Sequence, residues 1–235
     1  SHGGGGSGSS GGGGSTSGGG GSTVVTPTAT PTPTPTANPT AGPEQTPTPA
    51  VTPDLSELEG HWAQQEIQTL VEQHIVSGDE NGKLNLQDTM TRAEFLAMVL
   101  RGLEAEFTPY TGGFADVPAD AWYADVMQTA YDLGYIEGDG TGVNPEGSIT
   151  REEMAKILVE IYEAFISDTS QPENDVGIVD ENQISEWAKD YVQKAYSYGL
   201  ISGMPDGSFA PQEHMLREQG MAAVYRMLNK TGRLT

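Results

Sequence analysis

Three stretches of this chain carry the same landmarks at the same spacing, and this limits the possible folds more than any other feature. All three tryptophans open the pattern, as Trp62-Ala63, Trp122-Tyr123-Ala124 and Trp187-Ala188. Sixteen residues after each stands a glycine, Gly78, Gly138 or Gly203, ending the words HIVSG, GYIEG and GLISG. Arg92, Arg151 and Arg217 follow their tryptophans by 30, 29 and 30 residues, in the contexts MTRAEF, ITREEM and MLREQG. A unit that recurs in this way is a supersecondary element too small to bury its own apolar face, so the copies must pack on one another.

Each copy reads as helix, loop, helix. Apolar residues recur at helical spacing in the first helix: Trp62, Ile67, Leu70, Val71; then Trp122, Val126, Ala130; then Trp187, Tyr191, Ala195. Gly134 and Gly199 suit a left-handed cap at its end, with His74 in that place in the first copy. A turn-forming stretch follows (DENGKLNLQD, DGTGVNPEG, MPDGSFAPQE). Thr91-Arg-Ala-Glu94 and Thr150-Arg-Glu-Glu153 are capping boxes that start the second helix. The third copy has Leu216 and Gln219 instead, which predicts a weakened cap. Three such helix pairs predict an all-α fold, a pseudo-threefold bundle with one core.

Residues 1–53 differ in kind. Thirteen of the first 22 are Gly, a Thr/Pro alternation with nine prolines follows, and Glu44 is the only charge. Such a chain has too few apolar side chains to offset the entropy of ordering, and it reads as a flexible Gly/Ser then extended Thr/Pro tether. Ser1-His2 resembles a cloning remnant, whereas the irregular interruptions beyond it look natural. With no secretion signal at its start, the chain is expected to begin inside a longer precursor. The copies occupy 54–107, 108–168 and 169–235. They hold 32 of the 33 acidic residues and all 11 basic ones. This excess of negative charge argues against nucleic acid and anionic membrane as partners. No apolar run is long enough to span a membrane. The chain has no cysteine, so disulfides and thiolate chemistry are excluded.

The pattern Phe-x-Asp, Trp-Ala, Gly-(Ile/Leu)-Ile-x-Gly, Ile-Thr-Arg-Glu/Ala-Glu resembles the S-layer homology family, in three copies covering nearly all of 54–231. The resemblance implies three helix pairs around a central bundle. It also implies non-covalent anchoring of an exported protein, with its cargo domain N-terminal to this chain, to the wall or S-layer of a Gram-positive-type bacterium. The ligand it implies is a secondary cell-wall polysaccharide carrying acidic pyruvate ketals, bound in grooves between neighbouring repeats. The groove residues it implies are Arg92, Arg151 and Arg217, Gly78, Gly138 and Gly203, and Trp62, Trp122 and Trp187. With them come the acidic residues before each tryptophan: Glu57 in LSELEGHW, Asp116 in FADV and Asp180 in IVDENQIS. Leu216 in place of Thr is the clearest departure and puts the third copy's groove furthest from the family pattern.

The chemistry of these positions leaves two readings open for each. An Arg in a helix's first turn opposes the macrodipole, and is explained by an anion bound there with the free N–H groups or by a salt bridge to a repeat carboxylate. The tryptophans suit core or groove wall on one reading, and a face on which a sugar stacks directly on the other. The glycines suit tight turns and close sugar approach alike. Asp116 and Asp180 could accept sugar hydroxyls or cap helices. No cofactor is expected and no catalytic motif appears: the histidines, His2, His61, His74 and His214, have no metal-ligand spacing. Asp79, Asn81, Asn85 and Asp88 only faintly resemble a calcium loop, with Lys83 at its fifth position. A helical-repeat scaffold for protein partners or S-layer assembly is the alternative function.

Overall fold

The computed structural model describes residues 53–138, 140–167 and 177–234. The tether expected over 1–53, apart from Pro53, lies outside the described residues, as do Asp139 and the expected junction of the second and third copies at 168/169. Among the described residues the fold is all-α, as expected. Its six α-helices are α1 (Gln64–Glu72), α2 (Arg92–Gly102), α3 (Ala124–Asp132), α4 (Arg151–Phe165), α5 (Lys189–Ser197) and α6 (Arg217–Lys230).

The first helix of each copy ends as its sequence predicts. His74, Gly134 and Gly199 have φ of 58°, 77° and 64°. The next amide in each copy, of Ile75, Tyr135 or Leu200, reaches back to the carbonyl of Leu70, Ala130 or Ala195. These are three Schellman caps in register. Both predicted capping boxes form, with Thr91 accepting from the Glu94 amide and Thr150 from the Glu153 amide. In α6 only half a box survives: Gln219 Oε1 accepts from the Leu216 amide at 3.3 Å, and leucine has no oxygen to return the bond.

The helices that pack most closely belong to different copies. α2 packs on α3, α4 on α5 and α6 on α1, while α2, α4 and α6 form the centre. The core runs through Leu96, Val99, Leu100, Leu158, Ile161, Val224 and Leu228, all buried. Gly102 admits the Leu228 side chain where a methyl group would collide with it.

The threefold order is written in the backbone. Met90 donates to the Met215 carbonyl (2.8 Å), Met215 to Ile149 (2.9 Å) and Ile149 back to Met90 (3.0 Å), and all three residues are buried. The first turn of each central helix then bonds the loop of the next copy. Arg92 and Ala93 donate to Gly147 and Pro145, Arg151 and Glu152 to Glu213 and Pro211, and Arg217 and Glu218 to Asp88 and Leu86, at 2.8–3.1 Å. Amides that helix geometry leaves without partners are thus satisfied by a neighbour's carbonyls.

Candidate ligand-binding grooves

The tryptophans do not lie in the first helices. Trp62 and Trp122 precede α1 and α3 by two residues, and Trp187 lies in the 3-10 turn Glu186–Ala188 ahead of α5. These residues are 54, 51 and 50 % exposed, so none of the three is a core side chain. Helical spacing counted them because the turn before each helix continues its phase.

Each ring lines its own cavity. Trp122 faces a groove of 310 Å³ with Gly78, Glu94 and Arg217. Trp62 faces one of 470 Å³ with Arg151, Gly203 and Gln219. Trp187 faces one of 440 Å³ with Arg92, Glu153 and Glu137, the residue before Gly138. The grooves lie between repeats, and each draws on all three copies. The tryptophan comes from one copy, the glycine word from the copy before it and the arginine from the third.

The glycines serve close passage, not special backbone angles. A Cβ on Gly78 would lie 2.6 Å from the Gly82 carbonyl carbon, one on Gly138 3.0 Å from the Gly142 oxygen, and one on Gly203 2.6 Å from the Tyr196 hydroxyl. The acidic residues neither cap helices nor face the grooves. Asp180 accepts from the Phe209 and Ala210 amides, both at 2.7 Å. Asp116 accepts from Val143 (3.1 Å) and Asn144 (2.7 Å), and Glu57 from Leu84 at 3.3 Å. Each pins the turn of its own copy, where Asn85, Asn144 and Ala210 take φ of 52°, 51° and 55°. Asp79 is likewise occupied, by the amides of Asn81 and Lys83 and by the Asn85 side chain. Among the described residues no cluster of acidic, His or Cys side chains is placed to hold a metal.

The arginines divide. Arg217 bonds the Leu84 carbonyl through Nε (2.9 Å) and Glu94 through Nη1 (2.8 Å). Arg92 meets Glu153 at 3.2 Å, and its buried Nε has no partner. Arg151 is only 3 % exposed. Its Nε donates to the Phe209 carbonyl (2.6 Å), its Nη2 to Ser202 (3.0 Å), and its Nη1 lies 3.7 Å from Met215 Sδ. No carboxylate oxygen among the described residues lies within 4.0 Å of it. Burial holds its pKa below the ordinary arginine value, against a smaller upward pull from Tyr196, Glu213 and Asp180. The salt-bridge reading therefore describes two arginines of three. The expected help from free helix amides is overturned, because the amides at N1 and N2 bond the next copy and Thr91 or Thr150 takes the third in α2 and α4.

One contact set was not foreseen. Glu218, at N2 of α6, accepts from His61 (2.9 Å), the Trp62 indole (3.3 Å) and Gln87, fixing the first copy to the last. Glu152 in α4 holds Ser185 in the same way, through its hydroxyl (2.7 Å) and amide (3.1 Å). The acidic residue directly after the arginine in ITREEM and MLREQG was the only sequence signal.

The S-layer homology domain model matches residues 54–96, 113–155 and 178–219. An amylopullulanase of Thermoanaerobacterium thermosulfurigenes is 37% identical over 182 residues, covering 76% of this chain and 10% of that protein. Exoglucanase XynX of Acetivibrio thermocellus is 38% identical over 182 residues, covering 76% of this chain and 16% of that protein. A surface-layer 125 kDa protein of Lysinibacillus sphaericus is 34% identical over 152 residues, covering 64% of this chain and 12% of that protein. The chain thus spans a small part of the curated relatives it matches. No helix among the described residues is long and apolar enough to cross a membrane. With three matched copies and three like grooves, this chain belongs to the S-layer homology domain family, whose modules serve cell-surface proteins as anchors to the cell wall.

Proposed function

We propose that this chain anchors an exported protein to the bacterial wall by binding a secondary cell-wall polysaccharide with acidic, pyruvate-ketal sugars. The observation that carries this reading is the pairing, in each groove, of a half-exposed tryptophan with an arginine. An indole face packs against a sugar ring, and a guanidinium forks onto a carboxylate. The copies at 54–107, 108–168 and 169–235 act as one rigid body. Its grooves engage successive units of one polymer, so attachment is slow to release although no single site is tight. The cargo is a separate domain of the full-length protein, N-terminal to this chain, for which the carbohydrate-acting enzymes among the relatives are a pattern.

Glu94 and Glu153 already hold two of the groove arginines, and the surface is acidic. Recognition is therefore short-range, with weak dependence on salt. Calorimetric titration with purified pyruvylated wall polysaccharide, beside the same polymer stripped of pyruvate, tests the reading. Saturable binding that needs the ketal supports it; equal binding of both polymers refutes the acidic-sugar claim. Binding of neither removes the function.

A further inference from the structure

The three grooves differ in charge, and the difference traces to one residue. In α2, Glu94 uses Oε2 to accept from its cap amide and Oε1 to hold Arg217. Glu153 does the same with Oε2 on its cap amide and Oε1 on Arg92. At the third position of this register stands Gln219. Its Oε1 takes the cap amide of Leu216, so the place of the arginine-holding oxygen falls to an amide NH2, a donor. Arg151 is the arginine this residue would hold, and it is the one of the three that has no carboxylate partner among the described residues.

The Trp62 groove consequently presents an excess of donors. Arg151 and Arg226 line it against one carboxylate, Glu218, which is already occupied by His61, Trp62 and Gln87. The Trp187 groove balances Arg92 and Lys156 against Glu137 and Glu153. The Trp122 groove sets Arg101 and Arg217 against Asp79, Asp88 and Glu94, and Arg101 there is exposed to water. A buried guanidinium without a counter-ion is costly and favours whatever anion can reach it. Backbone carbonyls orient it without neutralising it.

Building on the proposed function, we propose that the Trp62 groove is the primary carboxylate-accepting site and that Gln219 is the residue that makes it so. In the other two grooves a ligand carboxylate must first displace Glu94 or Glu153 from its arginine. The copy with the weakest cap thus supplies the most receptive site: Leu216 spoils its capping box, and Gln219, three residues on, offers no carboxylate to the arginine of the preceding copy.

One tryptophan per groove makes occupancy readable. Three variants that each keep one tryptophan, the others changed to Phe, are titrated by fluorescence with the methyl glycoside of a 4,6-pyruvate-ketal hexose. The Trp62 form should half-saturate at about tenfold lower concentration than the Trp122 and Trp187 forms, because one charge-assisted bond forms there with no carboxylate to displace. Gln219→Glu in the Trp62 form should remove that advantage, and its fold is safe because Glu occupies the same position in the other two copies. Glu94→Gln and Glu153→Gln should bring the Trp122 and Trp187 forms toward the Trp62 value. Equal half-saturation in all three forms, or an unchanged Gln219→Glu, overturns the groove assignment while leaving polysaccharide binding intact. No response in any form overturns both.

Discussion

The carboxylate ahead of each tryptophan offers three versions of one interaction within a single molecule, and their geometry predicts unequal costs of removal. Consider Asp180→Asn. The side chain keeps its shape, but only its oxygen can accept, so one of the two 2.7 Å bonds from Phe209 and Ala210 is lost and its amide faces an NH2. Asp180 is 7 % exposed, so water does not replace the bond. A charge-assisted bond of this kind contributes about 1.5–3 kcal/mol, and the surviving one loses its charge assistance, giving roughly 2–4 kcal/mol. Asp116→Asn faces the same loss at an exposed residue, where water substitutes and the cost falls to about 1 kcal/mol. Glu57→Gln loses least, about 0.5 kcal/mol, because its 3.3 Å bond from Leu84 is long and an amide oxygen can accept it. Urea unfolding followed by circular dichroism measures all three against the parent protein at a common m-value. Three equal costs, or an Asp180→Asn cost below about 1 kcal/mol, would refute the claim that these carboxylates are turn clamps whose strength follows burial and bond geometry together.

Other outcomes follow from particular positions. Ala210 sits at φ 55° where the other copies use asparagine, so Ala210→Asn or Ala210→Gly should stabilise by about 0.5–1 kcal/mol, seen as a rise of a few degrees in Tm. Gly78→Ala puts a methyl group 2.6 Å from a backbone carbon and should cost about 1–3 kcal/mol, with weaker polysaccharide binding in the Trp122 groove by the same titration. The Asp54 carboxyl is held down to about 2, mainly by the Ser56 hydroxyl and amide and less by Lys83, against an ordinary 3.8. Its depressed pKa means its stabilisation is complete above pH 4 and fades as pH falls toward 2. Asp54→Asn should therefore lower Tm at neutral pH and match the parent near pH 2.

Much of this is legible in the amino-acid sequence. The landmarks Trp, Gly and Arg mark out three copies, and Thr91 and Thr150 mark helix starts to the residue. His74, Gly134 and Gly199 mark helix ends, because local backbone chemistry decides them. What stays hidden depends on partners distant in sequence. Arg151 meets Phe209 and Ser202 more than fifty positions away, and Glu218 of the last copy meets His61 of the first. Spacing within one copy holds no record of either. The tryptophans mislead for a different reason: a turn in phase with a helix extends its apolar count without extending the helix.

The ring of bonds among Met90, Ile149 and Met215 also bears on how such a module can change over generations. An open solenoid gains or loses a unit at its end at little cost, because each unit touches only its neighbours. Here every copy has two neighbours and no end is free, so a fourth copy would have to break one link and reshape the rest. Duplication and deletion of single copies are closed routes. Divergence inside the copies, as at Leu216 and Gln219, is the route left open. Three copies that began alike can then become three different sites without any change in their number.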